Sequence, residues 1–90
     1  MFFFVYILRT SSNTLYIGQT NNLEKRLLEH KNKNSKSAKY MKYFDSFELV
    51  YSEKHLTRAE AMKREYELKS WTKAQKEVLV SNDIKLLNRQ

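Results

Sequence analysis

The sequence predicts an α+β fold, a three-stranded antiparallel sheet flanked by helices. Three observations carry that prediction. The run Phe2 to Leu8 is apolar on both of its alternating faces, two further short stretches repeat with a period of two, and two Thr-x-x-Glu/Gln boxes open helical stretches in the C-terminal half. A chain of 90 residues suffices for one domain with a modest core. Residues 1–82 read as that domain and residues 83–90 as a basic tail in which Ile84, Leu86 and Leu87 are available to dock.

Residues 2 to 8 divide into Phe2/Phe4/Tyr6/Leu8 and Phe3/Val5/Ile7, so this strand needs cover on both sides and a central place in the sheet. Thr10 to Thr14 is polar turn material of about five residues, followed by a second strand from Leu15 to Thr20. The simplest register sets Tyr6 opposite Tyr16, with both on one face. Gly18, the only glycine in the chain, falls on that same face, where a missing side chain lets another element or a ligand approach the backbone. Asn21 or Asn22 caps a helix that runs to about Lys33 on Leu23, Leu27 and Leu28. Arg26 and His30, four residues apart, border its buried face, although His30 taken singly reads as a surface histidine.

Ser46 to Glu53 alternates Phe47/Leu49/Tyr51 against Glu48/Val50/Ser52 and predicts a third strand, completing an antiparallel meander. Thr57 to Glu60 fits a capping box for a helix ending near Trp71, with Ala61, Met62 and Leu68 as its buried stripe. Thr72 to Gln75 opens a last helix through about Ser81, buried by Ala74, Val78 and Leu79.

Composition narrows the function classes. The chain has no cysteine, which excludes a disulfide framework or a thiolate metal site and suits a reducing cytoplasm. The N-terminal apolar run has no basic segment before it and is broken by Arg9, so it reads neither as a signal peptide nor as a membrane span. A formal charge of +7 points to a polyanion, with nucleic acid as the first partner to consider. Between His30 and Phe44 there are lysines and no acids. Lys36, Lys39 and Lys42 offer phosphate-neutralising charge, and Tyr40 beside them offers a ring to stack on an unpaired base.

The sharpest chemical signal is Glu65, which a helical wheel places between Ala61 and Met62, inside the apolar stripe. A buried carboxylate needs a cation, hydrogen-bond donors or a metal. Arg26, His30 and the hydroxyls of Tyr6 and Tyr16 are its candidate partners. Two accounts fit the pattern: an Arg26–Glu65 ion pair that fixes helix docking, or an active site.

Val5-Tyr6-Ile7 and Tyr16-Ile17-Gly18, with "LYIGQTNNLEKRLLEH", "AKY" and "RAEAMKREYELKSWTKAQKEVLV" in that order and spacing, resemble the GIY-YIG nuclease superfamily, in particular its small stand-alone bacterial members. The likeness extends from Phe2 to about Val80. It implies a nuclease that hydrolyses DNA phosphodiesters with one divalent metal, Mg²⁺ or Mn²⁺. By the same resemblance Tyr6 and Tyr16 are the motif tyrosines, Gly18 the motif glycine, Arg26 the catalytic arginine and Glu65 the metal-binding glutamate, while His30 matches a histidine that some members use. Tyr6, Tyr16 and His30 compete for the role of base. Tyr6 is favoured, with its hydroxyl made more acidic by Arg26 and the metal. Val5 stands where the name-giving motif has glycine, and the asparagine that many members carry downstream has no clear counterpart, Asn82 and Asn88 lying far along. The implied activity is that of an endonuclease or nickase, in DNA repair or recombination, with specificity supplied by DNA shape or a protein partner. The alternative is a non-catalytic nucleic-acid-binding module that keeps the fold.

Overall fold

The computed structural model describes residues 1–31 and 46–88, with side chains to residue 82. Strands β1 (Phe3–Thr10) and β2 (Leu15–Thr20) form a hairpin, and β3 (Phe47–His55) pairs antiparallel with the other edge of β1. The order is β2-β1-β3. The strand that is apolar on both faces is thus central, as its composition requires. The expected meander is not formed, because a meander would have put β2 in the middle.

Val5 and Ile7 point to one side of the sheet and pack with Ile17, Ala61, Leu68 and Val80, beneath helices α2 (Arg58–Lys69) and α3 (Lys73–Asn88). Tyr6 and Leu8 point to the other side and pack with Tyr16, Leu23, Leu27 and Phe47, beneath helix α1 (Leu23–Lys31). Each face of β1 therefore serves its own core, and the alternation of the strand is what keeps the two apart.

The hairpin register differs from the simplest one. Tyr6 stands opposite Gly18, and Tyr16 opposite Leu8. The turn decides this: Thr10 and Thr14 close it through a 2.9 Å backbone bond and a 2.6 Å bond between their hydroxyls, and Asn13 takes a left-handed conformation at φ 66°. Arg9 holds that turn by donating to the Asn13 amide oxygen at 2.8 Å.

A bulge in β3 breaks the predicted alternation. Leu49 pairs with Leu8 but Tyr51 pairs with Ile7, so Val50 is the extra residue and Tyr51 turns to the α2 side, away from the face of Phe47 and Leu49. Tyr51, Glu53 and His55 then share that side.

Local signals set the helix starts. Asn22 caps α1 by accepting from Lys25 N at 3.0 Å. Thr57 caps α2 by accepting from Glu60 N at 3.1 Å, while the Glu60 carboxylate reaches back to Leu56 N at 3.3 Å. Before α3 the box closes reciprocally, Thr72 with Gln75 N at 3.2 Å and Gln75 with Thr72 N at 2.9 Å.

The buried stripes of these helices are narrower than predicted. Ala61 and Leu68 are fully buried on α2, but Met62 is exposed, as are Leu28 on α1 and Val78 on α3. Ala74 is exposed as well, and on α3 Val80 is buried instead. An ion pair sets the rotation of α3: Arg9 donates to both carboxylate oxygens of Glu77, at 2.8 and 2.6 Å, and turns Glu77 and Val80 toward the sheet and Val78 outward. The same helix runs on to Asn88, through the stretch expected to be a tail. Among the described residues no helix is long and apolar enough to cross a membrane. Lys36, Lys39, Tyr40 and Lys42 lie outside the described residues.

Candidate active site

On the α1 side of the sheet, the Tyr6 hydroxyl and His30 Nε2 are 2.9 Å apart, and both side chains are buried, each 1% exposed. The expectation of a surface histidine is overturned, because α1 lays its last turn on the sheet and drives the ring inward. His30 is walled by three aromatic rings, with centroid distances of 5.9 Å to Tyr6, 5.3 Å to Tyr16 and 6.0 Å to Phe47. Tyr6 and Tyr16 are diagonal neighbours across the hairpin, with ring centroids 6.4 Å apart. Phe47 was missed as a wall of this site, since only the chain return to the far edge of β1 brings it there.

Gly18 is needed for this hydrogen bond. A Cβ built on it would sit 2.5 Å from the Tyr6 Oη, 2.6 Å from Cζ and 3.0 Å from Cε1. The missing side chain therefore makes room for the Tyr6 ring itself, and not for a ligand or a further element as expected. The two motif tripeptides are coupled physically: the glycine of one lets the tyrosine of the other lie across β2 and reach His30.

Burial acts on both partners of the bond. It pushes the Tyr6 phenol well above its ordinary value, a rise reinforced by Tyr16 and by the charge of Glu65, and the opposing pull of Arg26 is smaller. Arg26 pulls in the expected direction, but desolvation outweighs it and Tyr6 stays protonated through the neutral range. His30 is held below its ordinary value, first by burial and then by Arg26. A neutral imidazole at pH 7 has one nitrogen free to accept, and in the tautomer where Nε2 accepts from Tyr6 the ring proton sits on Nδ1, which is buried without a partner among the described residues.

Arg26 projects from α1 with its Nε buried and unsatisfied by any hydrogen bond, 3.4 Å from a Glu29 oxygen. Glu65 is on α2, on the other side of the sheet from α1, with its side chain 22% exposed and one oxygen 3.3 Å from Lys69 Nζ. The direct Arg26–Glu65 pair does not form among the described residues. With Met62 exposed, the stripe of α2 is centred on Ala61 and Leu68, and Glu65 lies about 40° round the helix from Ala61, at the rim of the stripe and not inside it. Glu65 and Arg26 both remain close enough to act on the Tyr6 hydroxyl by charge.

Among the described residues no group of three His, Cys, Asp or Glu gathers as a metal cage. The donor set at Glu65 is one carboxylate, which fits Mg²⁺ or Mn²⁺ of the kind that keeps most of its waters and also takes phosphate oxygens.

Comparison with known proteins bears on the family and the fold. The GIY-YIG catalytic domain model matches residues 2–78. A UPF0213 protein of Staphylococcus epidermidis is 44% identical over 73 residues, covering 81% of this chain and 87% of the relative. One from Natronomonas pharaonis is 40% identical over 80 residues, covering 89% and 92%. The solution NMR structure of a UPF0213 protein from Bacillus halodurans superposes with a TM-score of 0.58 at 34% identity, over 90% of this chain and 84% of that one. The tyrosine–glycine hairpin, the arginine on the following helix and the glutamate on the helix after β3 lie within the matched residues, and the chain belongs to the GIY-YIG nuclease family.

Proposed function

We propose that this protein is a divalent-metal-dependent DNA endonuclease or nickase, acting in the cytoplasm on DNA under repair or recombination. The observation that carries the reading is the buried hydrogen bond between Tyr6 and His30, next to Tyr16 and within reach of the Arg26 charge. A tyrosine with a raised pKa is a poor base alone. It works as a relay: as a water oxygen attacks phosphorus, Tyr6 Oη takes the water proton and passes its own to His30 Nε2, so no tyrosinate has to form. Arg26 supplies a guanidinium fork for the phosphate oxygens, with its Nε 3.4 Å from Glu29 and making no hydrogen bond of its own. Tyr16 orients the phosphate from beside His30. Glu65 would hold the metal, which neutralises charge on the phosphoryl group and the leaving oxygen when bound. Lys36, Lys39 and Lys42 contribute affinity for the DNA backbone, Tyr40 stacks on an unpaired base, and sequence preference is left to DNA shape or a protein partner.

The test is incubation with labelled single-stranded, duplex and branched DNA in Mg²⁺, Mn²⁺ or EDTA, beside Tyr6→Phe and Glu65→Gln. Metal-dependent cleavage by the wild type that both variants lose supports the reading. Binding without cleavage in every metal would leave a nucleic-acid-binding module that keeps the fold.

A further inference from the structure

Where β2 ends, a cavity of about 210 Å³ opens between the first turns of α1 and α2, lined by Phe3, Gln19, Thr20, Asn21, Arg26 and Arg58. Two of its walls are guanidinium groups from different helices, and three more are amide or hydroxyl side chains. Among the described residues the lining carries no carboxylate. Arg26 has the Glu29 carboxylate 3.4 Å from its Nε, while no carboxylate pairs with Arg58 among the described residues, so the lining keeps an excess of positive charge and suits an anion with several acceptor oxygens.

Fold stability does not account for Arg58. It follows the Thr57 cap as the first residue of α2, where the helix dipole disfavours a cation. Its side chain is exposed, and no carboxylate pairs with it among the described residues. Glu60, the acid in the same turn, is engaged elsewhere, with Leu56 N at 3.3 Å and His55 Nδ1 at 4.0 Å. Arg26, the other guanidinium, keeps a buried Nε that makes no hydrogen bond and meets only the Glu29 carboxylate, at 3.4 Å.

The position of the cavity suits an extended polyanion. Thr20 is two residues beyond Gly18 on β2, roughly 7 Å along the strand, and Gly18 is the residue that the Tyr6 ring covers. A strand of DNA whose scissile phosphate meets Tyr6 and Arg26 would carry its neighbouring phosphate toward this space. We propose that Arg58 is a phosphate-binding residue of the substrate groove, gripping the backbone phosphate next to the one that is cut, with Arg26 shared between the two. This assignment rests on the nuclease reading for its place along the DNA, but not for the phosphate contact itself. Gln19 and Asn21 complete the contact with neutral amide donors, the Thr20 hydroxyl being spent on the Asn22 carbonyl at 3.2 Å, and Phe3 gives the cavity an aromatic wall.

Binding measured in EDTA tests this without requiring cleavage. Wild type, Arg58→Gln, Arg58→Lys and, as a charge-matched control, Lys63→Gln are titrated with labelled DNA across a salt series. The DNA is either unmodified or carries one uncharged methylphosphonate, moved one phosphate at a time along the strand. Arg58→Gln weakens binding by roughly tenfold, the scale of a charge-assisted contact, and lowers the salt slope by about 0.9. One methylphosphonate position weakens wild type by a similar factor and has no further effect on Arg58→Gln. Arg58→Lys recovers the slope but only part of the affinity, because the charge returns without the fork. Melting of Arg58→Gln matches or exceeds wild type, which shows that the variant is folded.

Losses of equal size in Lys63→Gln and Arg58→Gln would reduce the effect to net charge and overturn the proposal. So would a methylphosphonate profile unchanged by Arg58→Gln, or a wild type that binds no DNA. The two readings separate cleanly. Loss of the methylphosphonate effect in Arg58→Gln, with no cleavage by wild type in any metal, keeps the clamp and removes the nuclease. Cleavage by wild type with an unchanged profile does the reverse.

Discussion

At the scale of single residues, Gly18 and His30 govern the site through packing and desolvation. A methyl group at position 18 would overlap the Tyr6 ring, which is buried and held at its hydroxyl by His30. Gly18→Ala is expected to cost about 1–3 kcal/mol in stability and to break the Tyr6–His30 bond. Thermal melts and the His30 imidazole resonances would report the two effects, and an unshifted imidazole would contradict the coupling. His30 makes a pH prediction. Its pKa is lowered in the fold, so below the ordinary value of 6.5 the unfolded chain binds a proton that the folded chain resists. The stability that the neutral ring permits is complete above pH 6.5 and declines as the pH falls from there toward the folded value. His30→Gln, whose amide can still meet the Tyr6 hydroxyl, is expected to flatten this decline in melts followed between about pH 7 and pH 5.

At the scale of elements, α2 is held to β3 by a polar cluster that the bulge at Val50 creates. Glu53 Oε1 accepts from the Tyr51 hydroxyl at 2.5 Å, and Oε2 accepts from Arg64 Nε at 3.1 Å and lies 2.6 Å from His55 Nε2. Arg64 also donates to Glu67 at 2.6 Å and stacks 5.4 Å from the Trp71 ring centre. These partners hold the Glu53 carboxyl below its usual range despite burial, and burial together with Glu53 pushes the Tyr51 phenol up to about 12. On the α2 wheel Arg64 and Glu65 flank the Ala61–Leu68 stripe on opposite sides, so the Arg64–Glu53 contact fixes the rotation that sets Glu65 at its rim. Arg64→Met keeps much of the bulk and removes the donors. It should destabilise the fold by about 1–3 kcal/mol, measured by denaturant titration, because a half-buried carboxylate loses its cation. An unchanged midpoint would show that Tyr51 and His55 satisfy Glu53 without it.

At the scale of the whole molecule, the sheet separates the two helices that furnish the site. α1 brings Arg26 and His30 to one face, while α2 packs on the other and presents Glu65 at the rim. Since Glu65 is paired with Lys69 on its own helix and not with Arg26, neutralising it strands no buried cation. Glu65→Gln is therefore expected to shift stability by less than about 1 kcal/mol, the upper scale of a surface ion pair, since Lys69 is exposed and Glu65 half-buried. Cleavage should fall by orders of magnitude in the same variant. Melts of wild type and Glu65→Gln with and without Mg²⁺ would decide: a Mg²⁺-dependent rise in wild type alone supports metal binding at Glu65, and a rise of equal size in both rejects it.

Alternation and capping in the sequence, which act over a few residues, set the fold class, the central place of the Phe2–Leu8 strand and the start of each described helix. The sequence also determined that Tyr6, Tyr16 and Gly18 share a face, since a shift of two residues in register preserves the two-residue period. Only the tertiary structure decided which residues of that face meet. The Thr10–Thr14 closure put Gly18 under Tyr6, the docking of α1 buried His30, and the passage of the chain to the far edge of β1 brought Phe47 beside it. The bulge at Val50 likewise turned Tyr51 toward α2, against the alternation that the residues display. Each of these outcomes joins groups far apart in the chain, and the free energy that selects them comes from shape and desolvation at the contact, which no local pattern records.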